Sequence, residues 1–406
     1  MPSWDIRFDL PLDLKNERIL IALARAAALA ETIQQVPVTP FVRERLNRLN
    51  IVRAIHGTTA IEGTNLSEED VRRILEARPG SGAHWGYAPD PRLRLRETLP
   101  TLPRERAFSA ALPATAAPEL GAARQPDETE ARNAEAAMRF IAETIEQDPT
   151  RRLTEDSIKQ LNRRLTQGAE SQEHMPGRYR TIGVSAGSYE APRPELVAAL
   201  MRRLIGWLYC DETQGWPALA RAVAAHFYFV SIHPFADGNG RTARAIESFL
   251  LYQAGVNVFG FYSLANFYYR NRSRYMELLD EVRFTAENLT PLVVFAAEGL
   301  VEELHTVHAD VMEYIASLVR INFADETLRR ARLSSKTRER LSRFLAVLGQ
   351  QDVPLRDLRS GSHPLSALYR GTSIRTLERD LDLLERLGLL RREAGLLVAD
   401  FGAQQP

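Results

Sequence analysis

HPFADGNGRTAR, residues 233–244, lies between two apolar segments, Ala224–Ile232 and Ala243–Leu251, whose spacing is that of helices. The segment therefore reads as a loop that runs into a helix N-terminus, where free N–H groups and the helix dipole favour an anion. Gly238 and Gly240 let the backbone approach that anion and adopt positive φ. Asn239 adds a neutral donor. Arg241 and Arg244 are three residues apart, so both face one side of the new helix and can clamp a polyphosphate. Asp237 offers a hard oxygen ligand suited to Mg2+ between phosphates. His233 titrates where a general base is useful near neutral pH. Base, metal ligand, anion nest and arginine clamp together describe phosphoryl or nucleotidyl transfer.

Outward from this loop the pattern is mostly helical. Residues 15–34, 40–56 and 67–76 carry apolar positions at three- and four-residue spacing. Ser67 can cap the last of these, with Glu69 and Asp70 near the positive end of its dipole. Residues 78–127 are rich in Pro, Gly, Ala and Arg and read as a long loop or insert. Helices resume at 128–147, 155–168, 194–210, 217–231 and 241–254, and more helix follows from about 265 to 348. Between them PGRYRTIGVSAGSYEAPRP (176–194) reads as a short hairpin or flap. TSIRTLERDLDLLERLGLL (372–390) is an amphipathic helix with Leu377, Leu381, Leu384 and Leu387 on one face, and RREAGLLVAD (391–400) is a tight hairpin. Helix followed by hairpin is winged-helix-like.

The loop resembles the signature of the Fic family, His-x-Phe-x-Asp/Glu-Gly-Asn-Gly/Lys-Arg-x-x-Arg, at His233, Phe235, Asp237, Gly238, Asn239, Gly240, Arg241 and Arg244. The resemblance implies transfer of AMP from Mg2+-bound ATP to a Ser, Thr or Tyr hydroxyl of a target protein. His233 is then the base and Asp237 the Mg2+ ligand. Asn239 and the Gly238–Gly240 backbone meet the α-phosphate, Arg241 and Arg244 the β- and γ-phosphates, and Phe235 anchors the loop. Gly240 stands where a kinase branch of the family has Lys. TTAIEG (58–63) resembles the family's inhibitory motif through Thr58, Glu62 and Gly63, which implies that Glu62 pairs with Arg244. At 4 Å and an effective dielectric near 20, such a pair attracts by roughly 4 kcal/mol before desolvation. The flap is implied to hold the target segment by strand addition, with Ala186, Gly187, Ser188 and Tyr189 at its tip beside the nucleotide. Tyr275 resembles a tyrosine lining the adenine pocket. An Asn that often binds adenosine just beyond it has no clear counterpart.

The expected fold is mainly α, a helical Fic core with a β-hairpin flap. The expected divisions are an N-terminal helical region with the inhibitory motif (1–77), the Pro/Ala/Arg-rich loop or insert (78–127), the catalytic core (128–300), a connecting helix (301–332) and the winged-helix-like domain (333–406). Arg370, Arg375, Arg379, Arg391 and Arg392 of that last domain could face phosphates, but Glu378, Asp380, Asp382 and Glu385 share its helix, so protein contact or autoregulation is preferred to DNA. The resemblance also makes a homodimer an expectation.

Bulk numbers narrow the classes further. Lys+Arg and Asp+Glu both number 52, so no global charge argues for nucleic acid or membrane. A single cysteine, Cys210, excludes an internal disulfide framework and a Cys-based zinc site, and fits a reducing cytoplasm. No uninterrupted apolar run reaches the roughly 18 residues of a membrane helix. Two rival readings stay open: a DNA-binding regulator with a Fic sensor core, and removal of AMP from targets by the same site.

Overall fold

The computed structural model describes residues 4–77, 125–171, 174–187, 189–256, 264–348 and 352–400. These fall into two units, one of residues 4–77 with 125–309 and one of residues 310–400.

The first unit is helical around one small hairpin. In order it contains α1 (Glu17–Gln35), α2 (Pro40–Ile61), α3 (Glu68–Glu76), α4 (Gln125–Gln147), α5 (Glu155–Leu165), β1 (Ser185–Ala186), β2 (Tyr189–Glu190), α6 (Pro194–Leu208), α7 (Asp211–Gln214), α8 (Ala218–Ile232), α9 (Asn239–Gln253), α10 (Ala265–Arg270), α11 (Arg272–Glu281), a π-helical turn (Val282–Ala286) and α12 (Thr290–Arg330). Apolar residues occupy nearly every face of α8, and it is buried on nearly every side as the central helix. Against it packs α9, which α2, α4 and α5 contact in turn. Local signals set the surrounding helices. Ser67 and Asp70 close a reciprocal capping box at α3. Thr154 caps α5, with acids in its first turn and arginines in its last.

The mainly helical expectation holds, with differences in detail. Helix α4 begins at Gln125, inside the stretch read as an insert, because Asp127 and Glu128 suit a first turn. Residues 78–124 of that stretch lie outside the described residues. The helix expected from about 265 to 348 is broken at Asn271, which caps both α10 and α11, and again after the π-turn, where Glu287 takes a left-handed conformation. Helix α12 runs without a break through the expected boundary between residues 300 and 301.

The second unit contains the end of α12, α13 (Ser335–Leu348), β3 (Val353–Pro354), α14 (Leu355–Ser360), a 3-10 turn (Pro364–Tyr369), α15 (Ile374–Arg386), β4 (Leu390–Glu393) and β5 (Leu396–Ala399). Its antiparallel sheet has the order β3-β5-β4, with Val353 opposite Leu397 and Arg392 opposite Leu397. Leu341, Phe344 and Leu345 of α13 share one core with Leu377, Leu381 and Leu384 of α15. Asp380 is buried in that unit and pairs with Arg340 at 2.7 Å. Among the described residues no helix is long and apolar enough to cross a membrane.

Candidate active site

The loop between α8 and α9 is held by its own side chains and by α5. His233 ends α8 in the left-handed region, φ 49°, and Pro234 stops the helix from continuing. Phe235 is fully buried, 6.2 Å from Phe229 and 5.5 Å from Tyr179 between ring centres. The Asn239 amide clamps the Phe235 backbone, accepting from its N–H at 2.9 Å and donating to its carbonyl at 2.8 Å. The amide oxygen and one amide N–H are thus engaged within the loop, which leaves the second amide N–H and the backbone N–H groups at the start of α9 as candidate donors to an anion. From α5, Asn162 donates to the Asp237 carbonyl at 3.0 Å and accepts from Gly177 N–H at 2.9 Å.

His233 is partly buried at the start of this loop. Its Nδ1 lies 3.2 Å from the Val230 carbonyl, which can only accept, so Nδ1 carries the proton and Nε2 keeps its lone pair. Burial pushes the ring down to a pKa of about 4; the Val230 bond opposes this, and the charges of Arg180 and Arg283 add to it. At neutral pH the imidazole is uncharged and able to take a proton. Arg180 Nε donates to the His233 carbonyl at 2.7 Å and its guanidinium also reaches the Ile182 and Pro192 carbonyls, tying the base of the flap to the histidine. Asp237 leaves 47% of its side chain exposed. Its Oδ1 accepts from Gly238 N–H at 2.6 Å, and Arg241 lies 3.2 Å from Oδ2.

The arginines are both met by carboxylates. Arg244 is 2% exposed; its Nε donates to Thr58 Oγ1 at 2.9 Å, and the same terminal nitrogen reaches the Thr58 carbonyl at 3.0 Å and Glu62 Oε1 at 2.6 Å. Burial would raise the Glu62 carboxyl, but the charge and hydrogen bond of Arg244 outweigh it and hold the carboxyl below its usual range. Glu62 can come this close because position 240 is Gly: a Cβ there would stand 2.3 Å from Glu62 Oε1. Gly63, at φ 107°, turns the chain away after α2. The next residue, Thr64, donates to Glu130 Oε2 at 2.9 Å, and Glu130 Oε1 lies 3.3 Å from Arg241. Arg241 is thus flanked by Glu130 and Asp237.

At the flap, Ala186 is half-buried and Gly187 exposed, while Ser188 lies outside the described residues. Tyr189 is fully buried, donates to the Ser231 carbonyl at 3.0 Å and carries Arg283 over its ring at 4.5 Å. It anchors the flap at Ser231, two residues from His233. Tyr275 is also buried, stacked on Tyr268 at 4.7 Å, with its hydroxyl 2.9 Å from His226 Nε2. Six residues join the site that the sequence reading did not single out: Asn162, Arg180, Glu130, Arg283, His226 and Glu247. His226 and Glu247 carried a readable signal, since each is a polar residue inside an apolar helical run.

Residues 152–251, which hold this loop, match the Fic/DOC family. That segment is similar to a Fic domain. Over 121 residues it is 31% identical to protein adenylyltransferase fic-1 of Caenorhabditis briggsae, covering 30% of this chain and 24% of that protein. Over 153 residues it is 30% identical to protein adenylyltransferase Fic of Nematostella vectensis, covering 37% and 35%. The match thus spans about a quarter to a third of the length of these relatives. In fold, the protein is similar to a Fic-1 fragment from C. elegans, with TM-score 0.53, 22% identity and 73% of each chain covered. It is also similar to a Fic family protein from Desulfovibrio desulfuricans G20, with TM-score 0.51, 19% identity and all of both chains covered.

Proposed function

We propose that this protein is an adenylyltransferase that moves AMP from ATP to a Ser, Thr or Tyr hydroxyl of a target protein and is held off by Glu62. The observation that carries this reading is a neutral His233 with Nε2 open, beside an anion loop whose second arginine is occupied by Glu62. His233 Nε2 takes the proton of the target hydroxyl. The oxygen forms a bond to the α-phosphorus, the bond from that phosphorus to the bridging oxygen breaks, and pyrophosphate leaves with the electron pair. Backbone N–H groups at the start of α9 meet the α-phosphate, and Arg241 and Arg244 hold the outer phosphates. With Glu62 on Arg244, the outer end of ATP lacks its partner.

The donors also fit Mg2+. Among the described residues no three potential ligating side chains converge, and Asp237 presents a half-exposed carboxylate at the loop. One carboxylate plus substrate phosphates is how Mg2+ is commonly held. Bound there, the ion offsets phosphate charge. The flap pairs with an extended target segment by strand addition.

In this reading residues 1–77 carry the brake, 128–300 the catalysis and 333–406 a regulatory contact. On α15, Glu378 meets Arg359 of α14 at 2.7 Å and Asp382 meets Arg392 of β4 at 2.6 Å, a mixed-charge surface that favours a protein over DNA as its partner. A single cysteine, Cys210, supports the cytoplasm as its setting.

The test is labelling with α-phosphate-labelled ATP and Mg2+, using wild type, Glu62→Gly, and Glu62→Gly with His233→Ala. Strong label in Glu62→Gly, weak label in wild type and none in the double variant supports the reading. Absence of label in a folded, ATP-binding Glu62→Gly protein would sink it.

A further inference from the structure

Arg180 stands where the flap begins, and it is 3% exposed. Its guanidinium donates to three main-chain carbonyls. Nε reaches His233 at 2.7 Å. One terminal nitrogen reaches Ile182 at 2.8 Å, on the arm that leads into β1. The other reaches Pro192, on the arm that leaves β2. The Arg180 backbone N–H donates to the Pro234 carbonyl at 3.0 Å. One side chain thus holds both arms of the flap and the main chain of the proposed base.

Two features set this arrangement apart from ordinary packing. Carbonyls are neutral, so a buried guanidinium recovers less of its desolvation cost from them than from a carboxylate. What they use is its shape: a rigid planar fork with donors on three nitrogens reaches three acceptors at once. The second feature is His233 itself, which ends α8 at φ 49° and ψ 58°. That left-handed conformation is unfavourable for a residue with a Cβ and persists where its surroundings over-determine it. The Arg180 bond falls on the carbonyl of this strained residue. The remaining flap anchor ends on the same turn. The Tyr189 hydroxyl donates to the Ser231 carbonyl at 3.0 Å, and Arg283, which lies over the Tyr189 ring, donates from Nε to Ser231 Oγ at 3.1 Å.

We propose that Arg180 is a positioning residue that fixes both arms of the flap to the backbone of His233, so that the edge that pairs with a target segment and the nitrogen that takes its hydroxyl proton keep a set spacing. This rests on the nucleotidyl-transfer reading above. Strand addition places a target segment only relative to the flap. A general base works only within hydrogen-bond reach of the proton it removes. Both conditions hold together when flap and base move as one body, and Arg180 is the side chain that joins them.

The experiment uses the full chain carrying Glu62→Gly as parent and adds Arg180→Lys, Arg180→Gln or Ser231→Ala. It reads the self-labelling rate over a range of labelled Mg-ATP, Mg-ATP affinity by calorimetry, and hydrogen exchange across residues 181–192. Arg180→Lys keeps the charge but offers one nitrogen where the fork offers three. Its maximal labelling rate should fall on the order of 100-fold, the scale of a catalytic group misplaced by about 1 Å. Mg-ATP affinity should stay within about twofold, because the proposed phosphate donors lie on α9. Flap exchange should quicken at least about tenfold, with α5 and α8 changing less than about twofold. Arg180→Gln, which also drops the charge, should be at least as slow in labelling. Ser231→Ala removes a side-chain bond from the same turn and leaves every Arg180 bond in place, so its rate should stay within about threefold of the parent. Full-rate labelling by Arg180→Lys overturns the proposal, since a point charge would then suffice, and so does unchanged flap exchange. Equal losses in Arg180→Lys and Ser231→Ala overturn it in favour of general loosening. An ATP affinity that falls in step with the rate overturns it in favour of a purely structural role. If the parent, with Arg180 intact, binds ATP and takes no label, the nucleotidyl-transfer reading falls, and this proposal with it; exchange is read without transfer and reports separately on whether Arg180 holds the flap.

Discussion

Arg241 and Arg244 leave α9 one turn apart, and each meets carboxylates, yet the two sites are built differently. Arg241 pairs with Asp237 and Glu130, whose side chains are 47% and 33% exposed, one from its own loop and one from α4. Solvent screens such contacts, and neither depends on α2 for its carboxylate. Arg244 is buried, and its carboxylate arrives from α2. In the proposed reading, one arginine is therefore close to its final state, and the other changes partner. On the proposed function, the difference teaches where control resides: the clamp is half permanent and half gated, and the gate is the half with the lower dielectric.

This division assigns gating to the arginines and chemistry to His233, and removing the base is the largest way to break it. In the Glu62→Gly background, His233→Ala should lower the transfer rate by roughly 100- to 10,000-fold, the scale of general-base catalysis. Mg-ATP affinity should stay within about twofold. A collapse of ATP binding in the same variant would place His233 in the clamp and erase the distinction.

The pH profile sharpens the same contrast with a smaller effect. An ordinary imidazole would be only about one-tenth neutral at pH 5.5, a roughly tenfold loss of base. His233, pushed down to about 4 by burial and two nearby arginines, stays neutral there. The kcat/KM of Glu62→Gly should therefore be flat from pH 8 to about pH 5 and fall only as His233 gains its proton below that. The wild-type brake should persist over the same span. Glu62 is held below the usual carboxylate range, so its charge, and the pairing that needs it, are lost only as pH falls through that depressed value. A midpoint near 6.5 in the Glu62→Gly profile would show that the buried ring is not the group that titrates.

The parts of this site that could be read in the sequence are those written in consecutive residues. The loop declares itself because its glycines, arginines and histidine sit at spacings that act within one turn and one helix start. The flap hairpin and the helix and hairpin of α15, β4 and β5 were legible for the same reason. Contacts across the chain were legible only where the inhibitory motif pointed to them: Glu62 and Arg244 are 182 residues apart, and no spacing rule joins them. Glu130 reads as one more acid on a helix face until Thr64 and Arg241 are seen on its two oxygens. Asn239 shows a second limit: its residue type fits an anion donor, and its amide also closes around Phe235 within its own loop, which residue type alone does not reveal. Tyr275 could be placed near the site and not oriented, since a tyrosine on a helix says nothing of where its hydroxyl points.

Glu130 carries the smallest and most discriminating prediction. It contacts Arg241 on one oxygen and Thr64, just beyond Glu62, on the other, so it connects the permanent half of the clamp to the gated half. Replacing it with Gln removes the charge and keeps an oxygen for Thr64. The Arg241 contact is 3.3 Å long and partly exposed, so its loss should be worth no more than about 1 kcal/mol, or about fivefold. With Thr64 still held, Glu62 should remain on Arg244, and wild-type labelling should rise by less than about fivefold. Glu130→Ala, which frees Thr64 as well, should raise it further, because the turn behind Glu62 then loses its tie to α4. If both variants raise labelling equally, the Arg241 charge alone accounts for the effect. If Glu130→Gln alone matches Glu62→Gly, the gate extends to Arg241, and the two arginines are controlled as one.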